Sequence, residues 1–116
     1  MSENKLLSIA IPTYNRAEIV KKTVMTLINQ ILGKHEDLVD IVVADNASTD
    51  NTQEVLLQIQ SEYPNIFKYT KNEENMGLGK NLQISSDRAV GKYVWFCSDD
   101  DVLYDGVVDK VVEVLS

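Results

Sequence analysis

Apolar runs rich in β-branched residues alternate along the chain with stretches in which apolar residues recur every three or four positions. Runs of the first kind predict buried strands, and stretches of the second kind predict amphipathic helices. Residues 6–12 (LLSIAIP) form the first predicted strand, and the turn Pro12, Thr13, Tyr14, Asn15 follows it. The helix behind that turn carries Ile19, Val20, Val24, Leu27, Ile28 and Ile31 on one face, and Gly33 is its stop signal. Asn15 with Glu18 three residues later resembles a capping box at its start.

The pattern then repeats. Residues 39–44 (VDIVVA) are a second strand, and a polar loop through Asp50 leads into a helix marked by Val55, Leu56 and Ile59. Pro64 ends that helix, residues 66–70 form a short third strand, and 77–89 a less apolar third helix before Gly91. Residues 93–97 (YVWFC) are the fourth strand, followed by Ser98, Asp99, Asp100 and Asp101 and by a last helix over 105–115. Such alternation predicts the α/β class, with βαβ units, a mostly parallel sheet and helices on both faces. In open sheets of this kind ligands sit beyond the carboxyl ends of the strands, where the strand order reverses. A strand order of 3-2-1-4 would gather Tyr14, Asp45 and the acidic triplet into one crevice.

Length and charge narrow the choice. At 116 residues the chain fits one domain, with no repeat or linker. Its 11 Lys and Arg against 18 Asp and Glu give a net charge of −7, the opposite of a nucleic-acid-binding footprint. An acidic domain still binds a polyanion when a divalent cation or backbone amides neutralise the phosphates. No apolar run reaches the ~20 residues of a membrane span and no signal peptide is evident, so a cytoplasmic location is expected. Cys97 is the only cysteine, which leaves no intrachain disulfide and no Cys-based zinc site, and reads as a small buried apolar residue.

Three successive carboxylates at a strand end repel one another, and a hard cation such as Mg²⁺ or Mn²⁺ is one reason for them to sit together. The alternative is that one Asp caps the next segment while the others are solvated. Asp45 and Asn46 either bond their own loop or offer polar groups to a base edge, with the Tyr14 ring available for stacking. Asp50 suits the positive end of the following helix. Residues 75–81 (NMGLGKN) lack the Ser or Thr of a phosphate-binding Walker loop and the third Gly of a dinucleotide fingerprint. A glycine turn opening a helix can nonetheless present amides to a phosphate, and Lys80 could add charge. His35 reads as a surface residue in a polar loop. The Asn46-Ala47-Ser48 sequon has no bearing on a cytoplasmic protein.

Taken together, SIAIPTYNRAEIVKKTVMTLINQ, IVVADNASTDNTQEVL, NEENMGLGKNL and GKYVWFCSDDDVL stand in the order and spacing of family 2 glycosyltransferases, which the chain resembles over nearly its whole length. The resemblance implies a three-layer, Rossmann-like GT-A fold that binds a nucleotide-diphosphate sugar with Mn²⁺ or Mg²⁺. By position, Pro12, Thr13, Tyr14 and Asn15 would line the nucleoside pocket and Asp45 would bond the base. Lys80 or Asn81 would lie near ribose or phosphates, Asp99 would contact the ribose, and Asp99, Asp100 and Asp101 would serve the metal. Cys97 stands where some members keep an Asp, so the carboxylate set is shifted, as in polysaccharide-assembly transferases whose strand ends in Gly-Asp-Asp-Asp.

The resemblance further implies transfer to a glycan or lipid-linked acceptor in bacterial surface-polysaccharide assembly. The general base would lie beyond Ser116, so no catalytic residue is expected here. Residues 1–116 then read as the donor part, with the acceptor part absent and other regions holding the protein at the inner face of the membrane. Two rivals fit less well. A nucleotidyltransferase would carry a basic Gly-rich loop soon after the first strand, and a receiver-like Mg²⁺-binding regulatory domain an acidic pair where Thr13 and Tyr14 stand.

Overall fold

The computed structural model describes residues 5–101 and 103–116. Eight elements alternate: β1 (Leu7–Thr13), α1 (Ala17–Ile31), β2 (Val39–Asp45), α2 (Thr52–Glu62), β3 (Phe67–Lys71), α3 (Leu78–Arg88), β4 (Tyr93–Phe96) and α4 (Val107–Leu115). The strands form one sheet in the order β3-β2-β1-β4, and every pairing is parallel. This is the α/β architecture and strand order expected from the sequence.

The central strands are buried on both sides, as the strands of a parallel sheet must be, and this explains their nearly unbroken apolar sequences. Side chains alternate between the two faces of a strand. Leu7, Ile9 and Ile11 of β1 and Val39, Ile41 and Val43 of β2 join one core cluster with Val20, Val24, Leu27, Ile28 and Ile31 of α1. Leu56 and Ile59 of α2 and Val108 and Val112 of α4 complete that cluster, so α1 packs between α2 and α4. The intervening β1 positions are small, Ser8 and Ala10, and α3 packs closely over β1 and β2. Asn81 of α3 reaches the main chain of β2, its Nδ2 donating to the Ala44 carbonyl at 2.8 Å. Gly91 makes a comparable close approach before β4: a Cβ there would lie 2.5 Å from the Ser8 nitrogen, closer than atoms can pack.

Two local expectations change. Ile19, placed on the apolar face of α1, is 47% exposed and lies off the buried stripe. The Asn15–Glu18 capping box does not form, because Arg16 is the N-cap residue and receives no side-chain cap. Asn15 instead has φ 51 and spends its side chain on another loop. Gly33 does end α1 as expected, in the left-handed conformation that glycine tolerates, with φ 78.

The register fixes where polar groups collect. Leu7 pairs with Val39 and Thr13 with Asp45, so β1 and β2 end level with each other. β4 pairs with β1 from Leu7↔Tyr93 to Ala10↔Phe96, and the Cys97 amide continues the ladder by donating to the Ala10 carbonyl at 3.0 Å. The loops after β1, β2 and β4 therefore emerge side by side at one end of the sheet.

Candidate functional site

Between those loops lies a cleft of about 520 Å³, with Pro12, Thr13 and Tyr14 among its lining residues. The first two loops are stitched together. The Asn15 amide donates to Ser48 Oγ at 2.9 Å, Asn15 Oδ1 accepts from the Thr49 amide at 2.7 Å, and the Asn46 amide donates to the Thr13 carbonyl at 2.9 Å. Asn15 and Ala47, with φ 51 and 65, are the non-glycine residues in the left-handed region among those described, and both belong to these stitched loops. Strain of this kind is held in place only where surrounding bonds over-determine the chain. Here the bonds leave Tyr14 41% exposed at the cleft.

One wall of the cleft is built of carboxamides. Asn46 Nδ2 donates to Asn75 Oδ1 at 2.9 Å, and Asn46 Oδ1 accepts from the Met76 amide at 2.8 Å. Behind them, Asn72 Nδ2 donates to Asn46 Oδ1 at 3.1 Å and to Asn81 Oδ1 at 2.8 Å. Asn72 Oδ1 is buried without a hydrogen-bond partner. Gly77, with φ 83, turns the chain into α3, and Gly77 and Leu78 bring the amino end of that helix to the cleft. Lys80 is exposed and does not line the cleft, so the charge expected there comes to lie outside it. Asn81 does line it, although its amide is engaged by Asn72 and Ala44.

Asp45 is placed differently from the expectation that it bonds a base. It is fully buried and does not line the cleft. Its Oδ1 accepts from the Ser48 amide at 2.9 Å and from Ser48 Oγ at 2.5 Å, while Oδ2 accepts from the Tyr69 hydroxyl at 2.5 Å. The carboxylate organises its own loop, the other role open to it from the sequence. Burial, and then the bond to Asp45, push the Tyr69 phenol far above its ordinary range, so it stays a donor. Asn46, the next residue, faces the cleft instead.

The opposite wall is acidic. Asp99 is buried, with Oδ2 accepting from Thr13 Oγ1 at 2.8 Å and its main-chain carbonyl from Thr23 Oγ1 at 2.8 Å. Arg16 Nη1 lies 3.2 Å from Asp99 Oδ1 and 3.2 Å from Asp100 Oδ2. Ser98 Oγ donates to Asp100 Oδ1 at 2.6 Å. Burial raises the Asp99 carboxyl above the usual carboxylate range, against the opposing pull of Thr13 and Arg16. The Ser98 bond, and then Arg16, hold Asp100 below that range.

The acidic triplet does not converge on one point as expected for a shared metal. Asp101 turns back, Oδ2 accepting from the Ser98 amide at 3.0 Å, and borders a second hollow of about 380 Å³ beside Lys22 and Thr26 of α1. The tight turn after β4, in which the Asp101 amide bonds the Ser98 carbonyl at 3.2 Å, sends successive side chains in different directions. No cluster of three metal-binding side chains occurs among the described residues. The pair Asp99 and Asp100 remains at the cleft. Cys97 is buried as expected, and burial, reinforced by Asp101, pushes its thiol up to about 12.

Sequence reasoning assigned no role to Arg16, whose partners lie 83 and 84 residues away. Its position directly after a turn and at a helix start was the available signal. His35 is also corrected: its side chain is mostly buried, and Nε2 meets Asp109 Oδ1 of α4 at 2.6 Å.

Comparison with known proteins gives the geometry a context. Residues 8–116 match the family model for glycosyl transferase family 2. The chain is 36% identical over 98 residues to the abequosyltransferase RfbV of Salmonella typhimurium, covering 84% of this chain and 29% of that one. The mannosyltransferase PcManGT from Pyrobaculum calidifontis, in complex with GDP-Man and Mn²⁺, shares the fold with a TM-score of 0.83 at 22% identity, over 97% of this chain and 33% of its own. S. aureus TarS 1-349 in complex with UDP-GlcNAc aligns with a TM-score of 0.74 at 29% identity, over 92% of this chain and 30% of its own. The chain thus spans about a third of the length of these relatives. The fold is of the GT-A class that the resemblance implied.

Proposed function

Because the chain belongs to glycosyl transferase family 2, we propose that residues 1–116 are the donor side of a transferase, binding a nucleotide-diphosphate sugar together with Mn²⁺ or Mg²⁺. The observation that carries this reading is the meeting, in one cleft at the strand ends, of an exposed tyrosine ring with the Asp99–Asp100 pair. Membership of the family sets aside the nucleotidyltransferase and receiver-like alternatives.

Each wall has its task. Tyr14 offers a flat apolar face to a base. Asn46 and Asn75 offer their remaining amide N–H donors to the base edge, in place of the buried Asp45, each Oδ1 already accepting two hydrogen bonds. Thr13 fixes the Asp99 carboxylate, and the amino end of α3, with no acidic residue in its first turn, suits a phosphate. The carboxylate pair fits a hard divalent ion, because Mg²⁺-type sites use one or two carboxylates and complete their shell with substrate phosphates and water. The guanidinium already lodged between the two side chains indicates that this position accepts positive charge. When bound, such an ion supplies Lewis-acid stabilisation to the leaving diphosphate.

Transfer to a glycan or lipid-linked acceptor, in surface-polysaccharide assembly, belongs to the whole protein. The general base is sought beyond Ser116, and Asp101 and Lys80 take no direct part in holding the donor. No helix among the described residues is long and apolar enough to cross a membrane. A thermal-shift screen of UDP, GDP, CDP and ADP, with Mn²⁺ and with EDTA, tests the reading, since a ligand selective for the folded state raises its melting temperature. One diphosphate should raise it in Mn²⁺ and lose the effect in EDTA. No shift with any of them in Mn²⁺ would remove the reading.

A further inference from the structure

Arg16 sits where the cation would. One guanidinium nitrogen, Nη1, lies 3.2 Å from an oxygen of each carboxylate of the Asp99–Asp100 pair. The side chain is placed there by its backbone. Asn15 is locked in the left-handed region by bonds to Ser48 and Thr49, and Arg16 follows at the N-cap of α1. Yet the guanidinium itself is lightly held. Its side chain is 47% exposed, and among the described residues its Nε and Nη2 make no hydrogen bond.

A divalent ion bound to these oxygens at roughly 2.1 Å would fall within a few ångströms of Nη1, and two positive centres so close repel strongly. Ion and guanidinium cannot share the pair. We infer that Arg16 is a tethered competitor of the divalent cation: it neutralises Asp99 and Asp100 in the donor-free protein, must swing out for the metal to bind, and then turns its fork to the incoming diphosphate. The inference rests on the reading of Asp99 and Asp100 as the metal-holding pair. Its consequence is coupling. The metal alone must displace a partner without compensation, whereas metal with a diphosphate gives the displaced guanidinium a new anion, for which its planar fork is well shaped. Arg16 is thus a residue that makes metal affinity depend on nucleotide.

Electron paramagnetic resonance of free Mn²⁺ tests this in the purified chain, without nucleotide and with saturating UDP, GDP, CDP or ADP in turn, for the wild type, Arg16→Gln and Arg16→Lys. Melting temperatures check the fold. Without nucleotide, Arg16→Gln should bind Mn²⁺ roughly three- to tenfold more tightly, the range for releasing a partly exposed ion pair, and Arg16→Lys should stay near the wild type. Nucleotide should raise Mn²⁺ affinity more in the wild type than in Arg16→Gln. A second readout needs no variant: the Arg16 guanidinium ¹⁵N resonance should shift as diamagnetic Mg²⁺ is added. Equal Mn²⁺ affinity of wild type and Arg16→Gln without nucleotide, or an unmoved Arg16 resonance at saturating Mg²⁺, overturns the inference but leaves the metal pair standing. Failure of both proteins to bind Mn²⁺ even with UDP, GDP, CDP or ADP overturns both.

Discussion

The two walls of the cleft are held by opposite means. On the carboxamide side, Asn46, Asn72, Asn75 and Asn81 bond one another and the main chain, with Asn72 and Asn81 nearly inaccessible to solvent. That wall is neutral and fixed by groups within it. On the acidic side, Asp99 is anchored by Thr13, while Asp100 is exposed and depends on Ser98 and a half-exposed Arg16. Exposed ion pairs contribute little to stability, so this wall can exchange its cation without disturbing the fold. The difference teaches where change on ligand binding is to be expected: the carboxamide wall offers a ready-made shape, and the acidic wall rearranges its charges.

The largest expected effect lies on the acidic wall. Asp99→Asn should weaken metal-dependent nucleotide binding about a hundredfold, roughly 3 kcal/mol, measured by calorimetry, with a much smaller change in melting temperature. A large loss of stability with unaltered affinity would make Asp99 a structural residue and erase the contrast between the walls. On the carboxamide wall the balance reverses. Asn72→Ala strips Asn81 Oδ1 of its donor, while Asn46 Oδ1 keeps the Met76 amide, and leaving a buried acceptor unpaired costs about 2 kcal/mol, which denaturant unfolding should register. If Asn72→Ala unfolds like the wild type, that wall is not held by its own network.

Asp45 sharpens the comparison because two roles were open to it. Its acceptor bonds go to Ser48 of its own loop and to Tyr69 of β3, so Asp45→Ala should cost about 1 to 2 kcal/mol of stability with little direct effect on affinity. Weakened nucleotide binding at unchanged stability would return Asp45 to the base. The smallest effect is expected far from the cleft. The His35 bond, and then Lys34, hold the Asp109 carboxyl below its ordinary value. A depressed carboxyl contributes stability above its unfolded value of 3.8 and loses it as pH falls through the lower folded one. Asp109→Asn should therefore lower the melting temperature slightly at neutral pH, with the difference vanishing at strongly acidic pH. A difference independent of pH would show that charge is not the cause.

Much of the fold was legible because its signals are local. The runs LLSIAIP, VDIVVA and YVWFC could hardly be anything but buried strands, and topology rules for α/β sheets brought their ends together. The carboxamide wall was partly legible, through Asn46, Asn81 and the glycine turn at Gly77. What stayed hidden depends on partners remote in sequence. Asp45 looked available until Tyr69 was brought to it from 24 residues away. Three adjacent aspartates looked like one ligand set, but a tight turn separates Asp101 from the other two. Arg16 and His35 carried no periodic pattern: the pairing of β1 with β4 brings Arg16 to Asp99 and Asp100, and the packing of α1 against α4 brings His35 to Asp109.

The central claim, a metal-dependent donor cleft, is tested most directly by titrating UDP, GDP, CDP and ADP calorimetrically into the wild-type chain in Mn²⁺ and again in EDTA. The account predicts binding of one of them in Mn²⁺ and a drop of at least about tenfold in EDTA, since most of the diphosphate's charge would then go unneutralised. Equal affinity in both buffers, or no binding of any of the four in Mn²⁺, would contradict it.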